Sequence, residues 1–256
     1  MRNQQPWHNT WTSIDKTSDP SWFVRFLDES RKSAKESAKS NPEQYFAFLN
    51  LQPGQRILEV GYGTGDITRS LAQLVENSEI IGVDTSETMV CEARKRVQGL
   101  NLPLRFETGD VHNLQFEDDT FDRSYASAVF QHIENPHLGL SEIIRVTKMG
   151  GQIVIADHDW ETFVVASDND MISHRMIQFF HNGIRNGSIA HHLPILFRDL
   201  GLTGITVDPH TEPMFSPTTS LLLGGRVAKR TETPTRRSNP LEIGDCFAKC
   251  ARNDEM

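Results

Sequence analysis

The chain is short of cysteine, of tyrosine and of long apolar runs. Its three cysteines among 256 residues, Cys91, Cys246 and Cys250, are odd in number and widely spaced, which does not read as a disulfide framework. Cys246 and Cys250 stand four apart with no second Cys/His pair nearby, so they do not complete a zinc site. No segment approaches ~18 consecutive apolar residues, and the polar first residues lack an apolar stretch of leader length. No membrane span and a reduced, cytoplasmic setting are expected. A surplus of positive charge is also missing. Lys and Arg total 26 against 34 Asp and Glu, a net charge of -8, which argues against broad nucleic-acid binding because that needs a positive field.

What the chain has is alternation. Residues 1–18 read as a flexible arm, with Trp7 and Trp11 able to fold over another surface. Ser18-Asp19-Pro20 signals a helix start, and Trp22, Phe23, Phe26 and Leu27 then form one apolar stripe. A second short helix follows Asn41-Pro42. From residue 56 onward, a short apolar run at 56–60 and strand patterns at 79–83, 104–108, 121–126 and 152–156 alternate with helical patterns at 66–75, 86–97 and 136–147. That order predicts a doubly wound α/β fold, a parallel sheet with helices on both faces. Residues 168–200 read as helical and 205–207 as a strand. Gly224 to Arg237 carries five basic residues and one acidic, the composition of a solvated tail. The expected organisation is an arm over 1–18, a domain over 19–223 and an atypical tail over 224–256.

The informative segment is Leu58-Glu59-Val60-Gly61-Tyr62-Gly63-Thr64-Gly65-Asp66, a strand running through a glycine turn into a helix. Ligands of open α/β sheets bind at such carboxyl ends. Here the glycines fall at 61, 63 and 65, with Asp66 at the helix start. A pyrophosphate wants that helix terminus for itself, so a cationic ligand without phosphate fits better. S-adenosylmethionine (SAM), with its sulfonium and ammonium, is such a ligand. Asp84, 19 residues after Gly65, stands where a carboxylate accepts from ribose hydroxyls. Asp110 can accept from an adenine amino group while Val111 packs on the ring.

Residues 45–160 resemble the class I SAM-dependent methyltransferases, in particular the branch of the ubiquinone and menaquinone biosynthesis enzymes. The resemblance rests on the glycine segment above, then Gly82-Val83-Asp84-Thr85-Ser86-Glu87-Thr88-Met89 and Gly109 through Asp122. It continues in Phe130-Gln131-His132-Ile133-Glu134-Asn135-Pro136 and Arg145-Val146-Thr147-Lys148-Met149-Gly150-Gly151. It implies a mostly parallel seven-stranded, Rossmann-like methyltransferase sheet, with a helical cap from 19–50 and about 160–200. It also implies SAM as cofactor and S-adenosylhomocysteine (SAH) as its product. Glu59 and the Gly61, Gly63 and Gly65 loop would hold the methionine end, and Asp84 the ribose. Thr85 and Met89 would flank the nucleoside, Asp110 and Val111 would hold the adenine, and Ser127 would face the methionine moiety with Gln131 nearby. Tyr62 departs from the small residue usual there, and would narrow the pocket or lie along the cofactor.

Other chemistry is open to the same residues. A short-chain oxidoreductase needs Tyr followed four residues later by Lys, but Tyr45, Tyr62 and Tyr125 are followed by Leu49, Asp66 and Val129. His132 is a candidate base or orienter, and His158, between Asp157 and Asp159, a candidate general base. The latter trio, with Asp168-Asn169-Asp170, also has oxygen donors for a metal, although the flanking sequence does not resemble metal-dependent methyltransferases and no metal is expected. Trp22, Phe23, Phe26, Trp160, Phe179 and His192 are candidate acceptor contacts for a small, partly apolar metabolite. A SAM-binding protein without methyl transfer is the alternative, since function lives in the site rather than the fold.

Overall fold

The structure, a computed structural model, describes residues 10–36, 43–162, 164 and 168–209. Its described residues fall into two compact units, one containing 10–24 and 43–208, the other containing 25–36 and 209. The first unit carries the sheet. Phe26 belongs to the second.

The sheet is built from β1 (Arg56–Val60), β2 (Glu79–Asp84), β3 (Leu104–Thr108), β4 (Phe121–Ser127) and β5 (Thr147–Ala156) in the order β3-β2-β1-β4-β5. Every pairing is parallel. The chain runs outward from β1 to β3 on one side and then restarts at β4 on the other. The carboxyl ends of β1 and β4 therefore form the switch point where such sheets bind ligands. Ile57, Leu58 and Val60 are all buried, as expected of a strand covered on both faces.

The helices are α1 (Pro20–Glu36), α2 (Glu43–Leu49), α3 (Asp66–Leu74), α4 (Glu87–Arg96), α5 (Pro136–Val146), α6 (Asp170–Gly183) and α7 (Ile189–Asp199), of which α2, α3, α4 and α5 pack on the strands. One core layer joins Leu58 and Val60 to Leu140, Ile143 and Val146 of α5 and to Ile189 and Leu193 of α7. The other joins Ile57, Ile80 and Tyr125 to Phe46 and Leu49 of α2 and to Leu71 and Ala72 of α3. Truncating a fully buried leucine of this kind to alanine costs ~2–5 kcal/mol.

Five strands are described where seven were expected. Residues 205–207 do not form the expected strand: Ile205 is 37% exposed and Val207 63%, and no strand lies beside them among the described residues. The alternatives near 220–223 and 246–250, like the whole tail over 224–256, lie outside the described residues. The helical stretch at 168–200 is two helices, because the chain becomes extended at Ile184. Within the expected arm, Thr10–Lys16 is a 3-10 helix with Ile14 buried. Among the described residues no helix is long and apolar enough to cross a membrane.

Candidate functional site

β1 ends at Val60, and Gly61–Gly65 turns the chain into α3. The Gly61 amide donates to the Val83 carbonyl at 2.7 Å. Gly61 has φ +70, and a Cβ there would stand 2.3 Å from Val129 Cγ2. Gly65 has φ +73, and its Cβ would stand 2.5 Å from the Phe106 ring. Both positions exclude an L side chain twice, by backbone conformation and by space.

Asp84 closes β2 beside this turn. Its carboxylate accepts the Gly63 amide at 2.9 Å and the Ser86 amide at 3.0 Å. Burial pushes the Asp84 carboxyl up, against the pull of those amides. Ser86 caps α4, its hydroxyl accepting from the Met89 amide at 3.3 Å. Thr85 is exposed and Met89 fully buried. Glu59, on β1, is only 2% exposed.

Tyr62 does not line the turn. Its ring is 1% exposed and packs on Phe106 with centroids 4.7 Å apart. It occupies space above Gly82, where a Cβ would come within 2.7 Å of Tyr62 Cδ1. The expected narrowing of a pocket by this ring does not occur, because the missing side chain at Gly82 lets the ring enter the core. Asp66 is likewise engaged, in ion pairs with Arg69 and Arg96.

Beyond β3, Asp110 bends back on its own loop. Its Oδ1 accepts the His112 amide at 2.9 Å and meets His112 Nδ1 at 2.7 Å. Val111 is buried in the core, next to Ile133 and Leu140.

After β4, Ser127 is half-buried and Ala128 takes φ +56. That left-handed step costs a non-glycine residue ~1–2 kcal/mol. It is over-determined by its surroundings. Asp157 accepts the amides of Phe130 at 2.9 Å and Gln131 at 3.2 Å. The Asn186 side-chain amide donates to the Phe130 and Ile133 carbonyls, both at 2.8 Å. Gln131 is buried, and its side-chain carbonyl accepts from Trp160 Nε1 at 2.6 Å. Burial pushes the Asp157 carboxyl up to about 7, although the amides of Phe130, Gln131 and Val129 pull the other way.

His132 stacks on Trp11 with centroids 5.7 Å apart. Burial first, and then the nearby His158, hold its pKa down to about 3, so the ring is neutral at pH 7. His158 is exposed and tilted against Trp160. Trp160 stacks on Phe180, which meets Phe179 edge-on. Trp11 and Trp22 both meet Phe23 edge-on at 5.0 Å. His192 is exposed and donates from Nδ1 to Ser188 of its own helix at 2.9 Å. Asp159 turns to His191 at 2.8 Å and Asn169 caps α6, so the oxygen donors considered for a metal serve separate partners.

Asp15 and Asn186 are contributors that sequence reasoning missed, and Trp11, expected to fold over another surface, finds it at His132. Asp15 accepts from the Ser86 hydroxyl at 3.0 Å and from the amides of Glu87 at 2.8 Å and Thr88 at 3.0 Å. A tryptophan in a polar arm was the one available signal.

Residues 58–155 match the methyltransferase domain family. A 37.1 kDa protein in transposon TN4556 of Streptomyces fradiae is 33% identical over 191 residues, 73% of this chain and 54% of that protein. A demethylmenaquinone methyltransferase of Beutenbergia cavernae is 34% identical over 109 residues, 43% of each chain. The chain spans about half the length of the curated relatives it matches. Among solved structures, a SAM-dependent methyltransferase from Aquifex aeolicus aligns over 77% of this chain and 88% of its own, at 21% identity and a TM-score of 0.52, and so shares the fold. Taken with the glycine turn, these matches make residues 58–155 a domain of the class I SAM-dependent methyltransferase family.

Proposed function

We propose that the protein transfers a methyl group from SAM to an oxygen, nitrogen or carbon atom of a small, partly apolar metabolite. The observation that carries this is the Asp84 carboxylate fixed against the glycine turn, in a set of strand-end turns that contain no Lys or Arg. The segments 61–65, 84–86, 108–111 and 127–132 are free of both. Those segments bring a phosphate no countercharge of their own, and the Arg69 guanidinium that reaches the Thr64 carbonyl is paired with Asp66, whereas hydroxyls and an ammonium find acceptors. A carboxylate has about four acceptor positions, more than the Gly63 and Ser86 amides take up. The donor chemistry therefore fits SAM. Glu59, Gly61 and Gly63 would hold its methionine end with Ser127, and Asp84 and Thr85 the ribose. Asp110 would hold the adenine amino group. Gln131, tied to Trp160, and Met89 and Val111, in the core, would support these residues from behind.

When bound, SAM supplies an activated methyl group on a sulfonium and leaves as neutral SAH. The protein's own task is then alignment and exclusion of water. Two aromatic groups support an acceptor position at the β4 turn. Trp11, Phe23 and Trp22 reach it at His132, and Trp160, Phe180 and Phe179 reach it at the adjacent Gln131. The first turn of α1, with α2, α6 and α7, would serve as the cap that shields this chemistry. An imidazole with a pKa near 3 is a poor base at pH 7, so His132 orients the acceptor. If the acceptor must lose a proton, His158 would take it. The low cysteine count and the exposed free thiol of Cys91 favour a cytoplasmic setting.

The test incubates purified protein with SAM and a panel of quinols, phenols, amines and enols, and follows SAH release. Acceptor-dependent SAH is the expected result. Tight SAM binding with no SAH from any acceptor would leave cofactor binding without transfer.

A further inference from the structure

The 3-10 helix Thr10–Lys16 lies outside the matched domain, yet it touches two of its strand ends. At one end, Asp15 accepts three hydrogen bonds from Ser86, Glu87 and Thr88, the residues that follow β2. At the other, Trp11 stacks on His132, which follows β4. β1 lies between β2 and β4 in the sheet, and the Gly61–Gly65 turn stands at its end. A segment fixed at both points must cross that end. Ser13, at φ -146 and ψ 35, kinks the segment between the two anchors. Ile14, between the two anchors, is 4% exposed, so the crossing is packed rather than held only at its ends.

We propose that residues 10–16 form a strap that supplies the outer wall of the cofactor site above the glycine turn, with Asp15 as its positioning residue and Trp11 as its second anchor. The proposal rests on the SAM reading above. Cofactor enters and SAH leaves when the Asp15 bonds open, so these bonds set the residence time of the nucleoside. Asp15 also lies close enough to Asp84 to add to the effect of burial in raising that carboxyl, which brings a further negative charge to the edge where a sulfonium ligand would sit.

The test measures SAH association and dissociation by stopped-flow fluorescence and calorimetry on the full chain, with Asp15→Ala, Asp15→Asn and Trp11→Leu variants. Thermal unfolding without ligand checks that each variant folds. The expected result is SAH dissociation at least tenfold faster in Asp15→Ala, a smaller acceleration in Asp15→Asn, and faster release in Trp11→Leu. If Asp15→Ala does not fold, the other two variants carry the test. Binding of SAH by the unsubstituted protein, with folded variants releasing it at the same rate, would overturn the strap. No SAH binding by the unsubstituted protein would overturn the SAM reading, and the strap with it.

Discussion

Val129 Cγ2 fills the place that a Cβ on Gly61 would need, 2.3 Å from it. The end of β1 and the turn after β4 thus interlock through a side chain present on one strand and absent on the other. A Gly61→Ala substitution forces a left-handed alanine and an overpacked contact at once, each worth ~1–3 kcal/mol. Urea denaturation should show a loss of that order. Adding Val129→Ala should recover the steric part and leave the backbone part.

Asp84 joins the turn to the ligand it is proposed to hold. Asp84→Ala removes an acceptor for two backbone amides and for the ribose hydroxyls. Hydrogen bonds to a charged partner contribute ~1.5–3 kcal/mol each, so SAH affinity should fall by at least tenfold in calorimetry. Wild-type affinity in the variant would remove Asp84 from the site.

Asp157 makes stability depend on pH in an unusual direction. Its carboxyl is pushed up to about 7 in the folded protein, against about 3.9 in an unfolded chain. Between these values the folded state binds more protons, so this group's contribution is fully present below pH ~3.9 and is lost as pH rises through 7. In Asp157→Asn the fall between pH 4 and pH 7 should disappear from urea midpoints, even if the variant is less stable at every pH. A slope identical to wild type would contradict the assignment.

His132 works in the opposite sense. Its folded pKa, near 3, lies below the ordinary 6.5, so the unfolded chain binds more protons between pH 3 and 6.5. Stability should drop as pH falls through that window, and His132→Gln should flatten the acid limb. Nuclear magnetic resonance of the ring should find it neutral at pH 5. A ring titrating near 6.5 would refute this and reopen a general-base role.

The parts of this fold that depend on runs of sequence were legible. β1 and β3 were expected at their observed limits; for β1 the reason is that a strand buried on both faces must be written as an apolar run. β5 was expected to start at Gln152, yet pairing begins at Thr147 opposite Phe121. The exposed Lys148-Met149-Gly150 gives no apolar signal, so that extension was hidden. The glycine turn and Asp84 were legible because their spacing is local. The direction of Tyr62 was not, because it depends on the bare backbone at Gly82, one strand away. Gln131 was expected near the ligand, and its bond from Trp160, 29 residues downstream, was not legible. Asp15 sits in a polar stretch with nothing local to distinguish it.

The same Asp15 has a consequence for how the chain folds. The first turn of α4 receives its acceptor from a residue 71 positions earlier. Closing a loop that long carries an entropic cost that local helix contacts do not meet, so the turn can form early but its amides are satisfied only when the N-terminal segment docks. A chain reduced to residues 58–155 would leave three donors at the start of α4 facing solvent. Residues made before the sheet are therefore among the last to find their partners, and the final consolidation of the domain waits on a segment that precedes it.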